Sequence, residues 1–140
     1  MSTHAEQVHI QTRGRSIVDV TQVVRDTVSR SAIRDGLVHV FVHHTSASLI
    51  VSENADSDVL KDLETYFSDL VPDGDARYVH TAEGPDDMAS HVRSALTLTS
   101  LSVPVHAGRV DLGVWQAIYL WEHRHAPHRR KLTVTAQGEP

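Results

Sequence analysis

Residues 80 to 91 read HTAEGPDDMASH, two histidines bracketing Glu83, a Gly-Pro break and the Asp86-Asp87 pair. Histidine and carboxylate at such density suit proton transfer or the binding of a cation. Pro85 is well placed at the first turn of a helix, and the two aspartates suit its partly positive N-terminus. In that helix Asp87 and His91 stand four residues apart on one face, close enough for the carboxylate to orient the imidazole or to share a cation with it. The same aspartates would favour a helix start without any ligand, so His80 and His91 carry the site expectation.

Whole-chain composition limits the chemistry. With 140 residues and 40% hydrophobic content, the chain suits one domain with a real core and is short for two. It has no cysteine, which excludes disulfides, thiolate metal sites and cysteine nucleophiles. A metal would rest on histidine and carboxylate, a donor set for zinc, manganese or, through oxygens alone, magnesium. Net charge is −5, against broad electrostatic binding to nucleic acid. No long apolar run or leader pattern is visible, so the expectation is a cytoplasmic protein with no membrane span. The run His123 to Lys131, HRHAPHRRK, reads as a solvated turn between strands or as a local cradle for a phosphorylated ligand or a nucleic acid.

The elements that would position these groups follow from periodicity. Residues 5 to 12 and 16 to 20 read as a hairpin turning at Arg13-Gly14-Arg15. Thr21 is a candidate cap for a helix to about Ser31, with Val24 and Val28 on one face. LVHVFVHH (37 to 44) and ASLIVS (47 to 52) read as strands. Asn54 or Asp56 then caps an amphipathic helix to about Val71, with Val59, Leu60, Leu63, Phe67 and Leu70 as its apolar stripe. A third helix spans about Asp86 to Leu98. Strands at 100 to 106, 109 to 112, 115 to 122 and 131 to 136 follow, with Gly108 at a hairpin turn. The class is α+β, a largely antiparallel sheet that could curl toward a barrel, with three helices.

Strand parity sorts the remaining candidates. Val38, Val40, Val42 and His44 share one face, so His44 ends a buried row, while His39, Phe41 and His43 face the other way. Thr45 and Ser46, which follow His44, are small polar groups able to bind phosphate or water. Further on, Gln116, Ile118, Leu120 and Glu122 share one face, and Trp115, Ala117, Tyr119, Trp121 and His123 the other. Both faces are largely apolar, so the strand is covered on both sides, and Gln116 or Glu122 there needs a partner. Glu122 is thus a candidate acid, base or metal ligand, or one half of a salt bridge to an arginine near the sheet edge. Gln116 and Asp87 join it as candidate catalytic groups.

HTSASLIVSENADSDVLKDL, HTAEGPDDMASH, SLSVPVHAGRVDLGVWQAIYL and EHR, in this order, resemble the YjbQ-like family, described as secondary thiamine-phosphate synthases. The likeness runs from about Gly36 to Gly138. One departure is visible, Gly113-Val114-Trp115-Gln116 where the family has Gly-Thr-Trp-Gln; β-branched Val114 should leave the strand intact. The resemblance implies an α+β subunit assembling as a homotrimer, its site built from His44, the His80 to His91 motif and Trp115 to Arg124. It also implies a transferase that joins hydroxymethyl-pyrimidine diphosphate to thiazole phosphate and releases pyrophosphate. For that reaction Arg124, Arg109 and a divalent cation near Asp86, Asp87 or the histidines would neutralise pyrophosphate, and Trp115 or Tyr119 would stack on a ring. Two other readings stand beside it. One is a hydrolase with zinc on His44, His80 and His91 and with Glu83, Asp87 or Glu122 as base. The other is a trimeric ligand-binding protein without turnover.

Overall fold

The computed structural model describes all 140 residues, Met1–Pro140. In chain order the elements are β1 (Ser2–Gln11), β2 (Ser16–Asp19), α1 (Thr21–Ser31), β3 (Asp35–Val42), β4 (Ala47–Glu53), α2 (Ser57–Leu70), α3 (Asp87–Leu96), β5 (Ser100–His106), β6 (Arg109–Val110), β7 (Gln116–Glu122) and β8 (Arg129–Glu139). Five strands form one sheet in the order β1-β8-β3-β5-β6, and three form another in the order β2-β7-β4. Every pairing is antiparallel. The expected class, α+β with three helices and a curled antiparallel sheet, is the one observed.

The core lies between the two sheets and under α1. Val38, Val40 and Val42 of β3 meet Leu132, Val134 and Ala136 of β8, Ile118 and Leu120 of β7, and Val24 and Val28 of α1. Removing this aliphatic surface from water is the main driving force for the architecture. The β7 residues Ala117 to Glu122 are all buried, as the two-sided apolar pattern required. On the far side of β7, Trp121 packs on Phe67 of α2 with ring centroids 4.7 Å apart. Helix α2 begins at the Asp56 cap, whose carboxylate accepts from the Asp58 amide at 2.9 Å; Val59, Leu60, Leu63 and Phe67 of its apolar stripe are half-buried, while Leu70 is exposed.

Three expectations give way. β1 and β2 do not form a hairpin, because β1 pairs with β8 and β2 with β7, in different sheets. The chain crosses between the sheets at Gly14, where φ is +108° and a Cβ would lie 2.4 Å from the His125 carbonyl oxygen, so only glycine fits. Thr21 does not cap α1; its hydroxyl donates to the Ile118 carbonyl and accepts from the Ile118 amide, which ties the helix to β7. Residues 113 to 115 form a turn ahead of β7, so Val114 does not sit in a strand. The turn at Ala107-Gly108 is as read, with φ of +51° and +78° at its two residues. No helix is long and apolar enough to cross a membrane.

Candidate metal centre

The loop 71 to 86 and the start of α3 bring His80, Asp87 and His91 together. One ligand atom from each lies within 4.8 Å of the others. His80 Nε2 donates to Asp87 Oδ2 at 2.6 Å and His91 Nε2 to the same oxygen at 3.2 Å. The two imidazoles meet edge to face at 5.4 Å. Donors 2.0–2.1 Å from a tetrahedral ion stand about 3.3 Å apart, so small side-chain rotations would close these three around a cation. Coordination through Nε2 requires each ring to carry its proton on Nδ1 instead.

Backbone and charge fix the cluster. The loop is pinned at its entry by Asp73, which accepts two bonds from Arg15 at 2.8 and 3.1 Å and faces His125 Nε2 at 2.8 Å. It is closed on itself by the Gly74 amide, which donates to the Pro85 carbonyl at 2.9 Å. From the end of β7, Arg124 donates to Asp87 Oδ1 at 2.7 Å, to Asp86 Oδ2 at 3.1 Å and to the Glu83 carbonyl at 3.1 Å. Burial opposes ionisation of Asp87, but the bond from His80 and the charge of Arg124 prevail and hold its carboxyl below the ordinary range. Asp86 is likewise held low, burial being outweighed by the His125 amide and Arg124. Asp86 makes no capping bond; its carboxylate turns to the β7–β8 loop instead. A cleft of about 240 Å³ lies beside the centre, lined by Asp75, Tyr78, His80, Thr81 and the glycines of the loop.

The other candidates fall elsewhere. His44 is not in the cluster: its Nε2 accepts from the Lys131 amide at 2.8 Å, and burial, with help from the Arg130 charge, lowers its pKa. Asp87 therefore takes the third position that His44 was expected to fill. Glu122 is fully buried and accepts from Thr12 Oγ1 at 2.7 Å, from Arg130 Nε at 2.8 Å and from Arg130 Nη2. It is one half of a buried salt bridge, with no exposed atom to act as acid or base on a substrate. Ser46 belongs to the same network, its hydroxyl accepting from Arg130 Nη2 at 3.0 Å, while Thr45 is exposed beside it.

Gln116 and Trp115 sit at the opposite end of β7 from Arg124. Six residues at about 3.3 Å each separate Gln116 from Glu122 by roughly 20 Å. Gln116 is exposed and accepts from the Gly113 amide at 2.7 Å, which makes it a turn residue, and Trp115 is 63% exposed. Tyr119 is buried and donates to the Glu53 carbonyl at 2.7 Å, so it offers no ring to a ligand. Arg109 lies in the β5–β6 hairpin, beside α1 and among none of the residues around Arg124. The run from His123 is a turn between β7 and β8 as read, exposed from His125 to Pro127, but His123 and Arg130 near its ends are buried and Arg124 is committed to the aspartates.

Sequence reasoning missed Thr12, Arg15 and Arg93. Arg93 is fully buried, donates to both oxygens of Glu64 at 3.0 and 3.1 Å, and stacks near Trp121. Its position three residues after Ser90, on the same helix side, was the available signal.

With the geometry established, comparison with known proteins places the chain. The family model described as UPF0047 protein YjbQ-like matches residues 6–139. The chain belongs to the YjbQ-like UPF0047 family. A UPF0047 protein of Synechocystis sp. is 49% identical over 136 residues, covering 97% of this chain and 92% of that one. YjbQ of Escherichia coli O157:H7 is 41% identical, with 92% of each chain covered. Among solved structures, an uncharacterized YjbQ/UPF0047 protein from Clostridium acetobutylicum superposes with TM-score 0.85 at 31% identity, over 92% of this chain and 97% of that one. A YjbQ-like protein from Sulfolobus solfataricus, described as of unknown function, shares the fold at TM-score 0.89 and 23% identity, over 99% of each chain. These findings overturn the thiamine-phosphate synthase expectation and the transferase role that went with it. The matched family is designated UPF0047, the solved relatives from Clostridium acetobutylicum and Sulfolobus solfataricus are described as uncharacterized and of unknown function, and none of these relatives is described as a synthase.

Proposed function

We propose that the chain binds one divalent transition metal through His80, Asp87 and His91, and that this YjbQ-like protein uses the centre to activate water against a small anionic substrate. The observation that carries the reading is the convergence of two imidazoles on one buried carboxylate oxygen. Two nitrogens and one oxygen suit zinc, manganese or iron(II) better than magnesium, which prefers oxygens alone. Such an ion, when bound, acts as a Lewis acid and makes water nucleophilic near neutral pH.

The chain's own residues supply the rest. Asp87 is held toward its ionised form by the bond from His80 and by the charge of Arg124, which favours binding a cation. Arg124 uses three of its five N–H groups on Asp86, Asp87 and Glu83, which leaves two to meet an anionic substrate at the rim. Glu83 lies 3.7 Å from His80 Nε2 with its side chain 64% exposed, beside the proposed metal position and open to solvent. It is the carboxylate placed to accept a proton.

The test is metal titration of chelator-stripped protein, followed by assays on ester and phosphoester panels. Wild type should bind one zinc or manganese per chain, and His91→Ala and Asp87→Asn should each weaken binding at least a hundredfold. Binding unchanged in both variants would refute the centre. Stoichiometric binding with no turnover of any panel member would refute the water-activating role.

A further inference from the structure

A second concave feature, separate from the metal centre and sharing no residue with it, lies between α1 and the β5–β6 hairpin. One part, about 490 Å³, is lined by Gln22, Arg25 and Ser29 of the helix and by Gly108 and Arg109 of the hairpin. An adjoining part, about 580 Å³, shares Ser29, Gly108 and Arg109 and reaches Arg34. Three guanidinium groups thus open onto one continuous groove.

None of the three forms a salt bridge. Arg15, Arg30, Arg77, Arg93, Arg124 and Arg130 are each ion-paired to a carboxylate; of the five that are not, Arg13 and Arg129 lie elsewhere and Arg25, Arg34 and Arg109 all line the groove. The adjacent acids border the groove without pairing to these arginines: Asp26 accepts from Gln22 at 2.8 Å, and Asp35 lies 3.3 Å from His106 Nδ1 and 3.5 Å from the Ala107 amide. On a chain of net charge −5, three arginines without a salt bridge along one concavity offer their guanidinium groups to an anion.

The backbone holds these arginines in place. The Gly108 amide donates to the Arg34 carbonyl at 2.9 Å, and Arg34 Nη1 lies 3.8 Å from the position of a Cβ on Gly108. Ala32 and Ala107, with φ of +59° and +51°, are the chain's two non-glycine residues in the left-handed region, and both line the groove. Ala32 is the left-handed C-cap of α1 and Ala107 the first residue of the β5–β6 turn, so these two chain reversals form one wall of the groove.

We propose that this groove binds a small ligand carrying contiguous phosphate groups, a di- or triphosphate. Planar guanidinium forks match phosphate oxygens bidentately, and three of them along one groove suit a short chain of phosphates. A nucleic acid is disfavoured, because the groove is bounded by one helix and one hairpin and the rest of the chain is acidic.

The test is calorimetric and NMR titration of the full chain with inorganic tripolyphosphate, in chelator and at moderate salt, with inorganic phosphate in parallel. Tripolyphosphate should bind one per chain, at least tenfold more tightly than phosphate, and should shift the Gly108 and Arg109 amides. Arg34→Gln and Arg109→Gln should each weaken it at least tenfold while leaving the thermal midpoint and metal titration unchanged. His91→Ala should leave it intact. No saturable binding, binding insensitive to both arginine variants, shifts confined to the neighbourhood of Arg124, or tighter binding of a short DNA duplex would each overturn the proposal.

Discussion

Asp87 and Arg124 are joined through one oxygen only: Arg124 Nη1 donates to Oδ1 at 2.7 Å, and Oδ2 is left to face the two histidines. The guanidinium therefore orients the carboxylate without occupying the atom that would meet a metal. It does so from the end of β7, and it reaches Asp86 and the Glu83 carbonyl with its remaining arms.

Arg124→Lys keeps the charge and loses the fork. A single ammonium cannot hold three acceptors at once, so Asp87 should become mobile and metal affinity should fall about tenfold, as is usual for groups that orient a ligand. Competition against a chromophoric chelator measures this; an unchanged dissociation constant would separate Arg124 from the centre.

Glu122 and Arg130 are both buried, and their pairing should matter most when one partner is lost. Glu122→Gln leaves a buried guanidinium without a counter-charge, at a cost of about 3–5 kcal/mol. The double variant Glu122→Met with Arg130→Met removes both charges and should cost less than the single change. Chemical denaturation of the three proteins decides it, and a double variant less stable than Glu122→Gln would contradict the account.

His123 should make the protein acid-sensitive. Burial, with the charges of Arg93, Arg15 and Arg130, pushes its pKa down from 6.5 to about 2. Above pH 6.5 the ring is neutral folded or unfolded and contributes nothing to pH dependence. Below it, only the unfolded chain takes up the proton, so stability falls by ~1.4 kcal/mol per pH unit down toward pH 2. His123→Gln retains a group that can bond to Ser48 and removes the proton, so its stability should fall less steeply between pH 6 and 4. Equal slopes in denaturation curves for the two proteins would refute this role.

Gly36 and Gly138 set the distance between β3 and β8. A Cβ on Gly36 would lie 2.0 Å from the Gln137 carbonyl oxygen, and one on Gly138 2.2 Å from that of Asp35. Gly36→Ala must push the strands apart, at about 1–3 kcal/mol. The thermal midpoint should drop while metal titration is unaffected, because the change lies in the sheet and away from α3.

By itself the sequence determined the parts with a local cause. Side-chain alternation placed Val38, Val40 and Val42 in the core and turned His39 and His43 outward, where they meet Ser102 and Thr133. Helical spacing put Asp87 and His91 on one face, and composition ruled out thiolate chemistry. Only the tertiary structure decided which distant segments meet. His44 and His80 have similar local signals, yet the Lys131 amide takes the first and Asp87 the second. Glu122 and Gln116 share a strand face, yet one is sealed against Arg130 while the other lies exposed at the far end. Periodicity fixes which way a side chain points relative to its own element. What it points at depends on how the crossover at Gly14 and the loop 71 to 86 bring the sheets and α3 together, a long-range arrangement that no local pattern encodes.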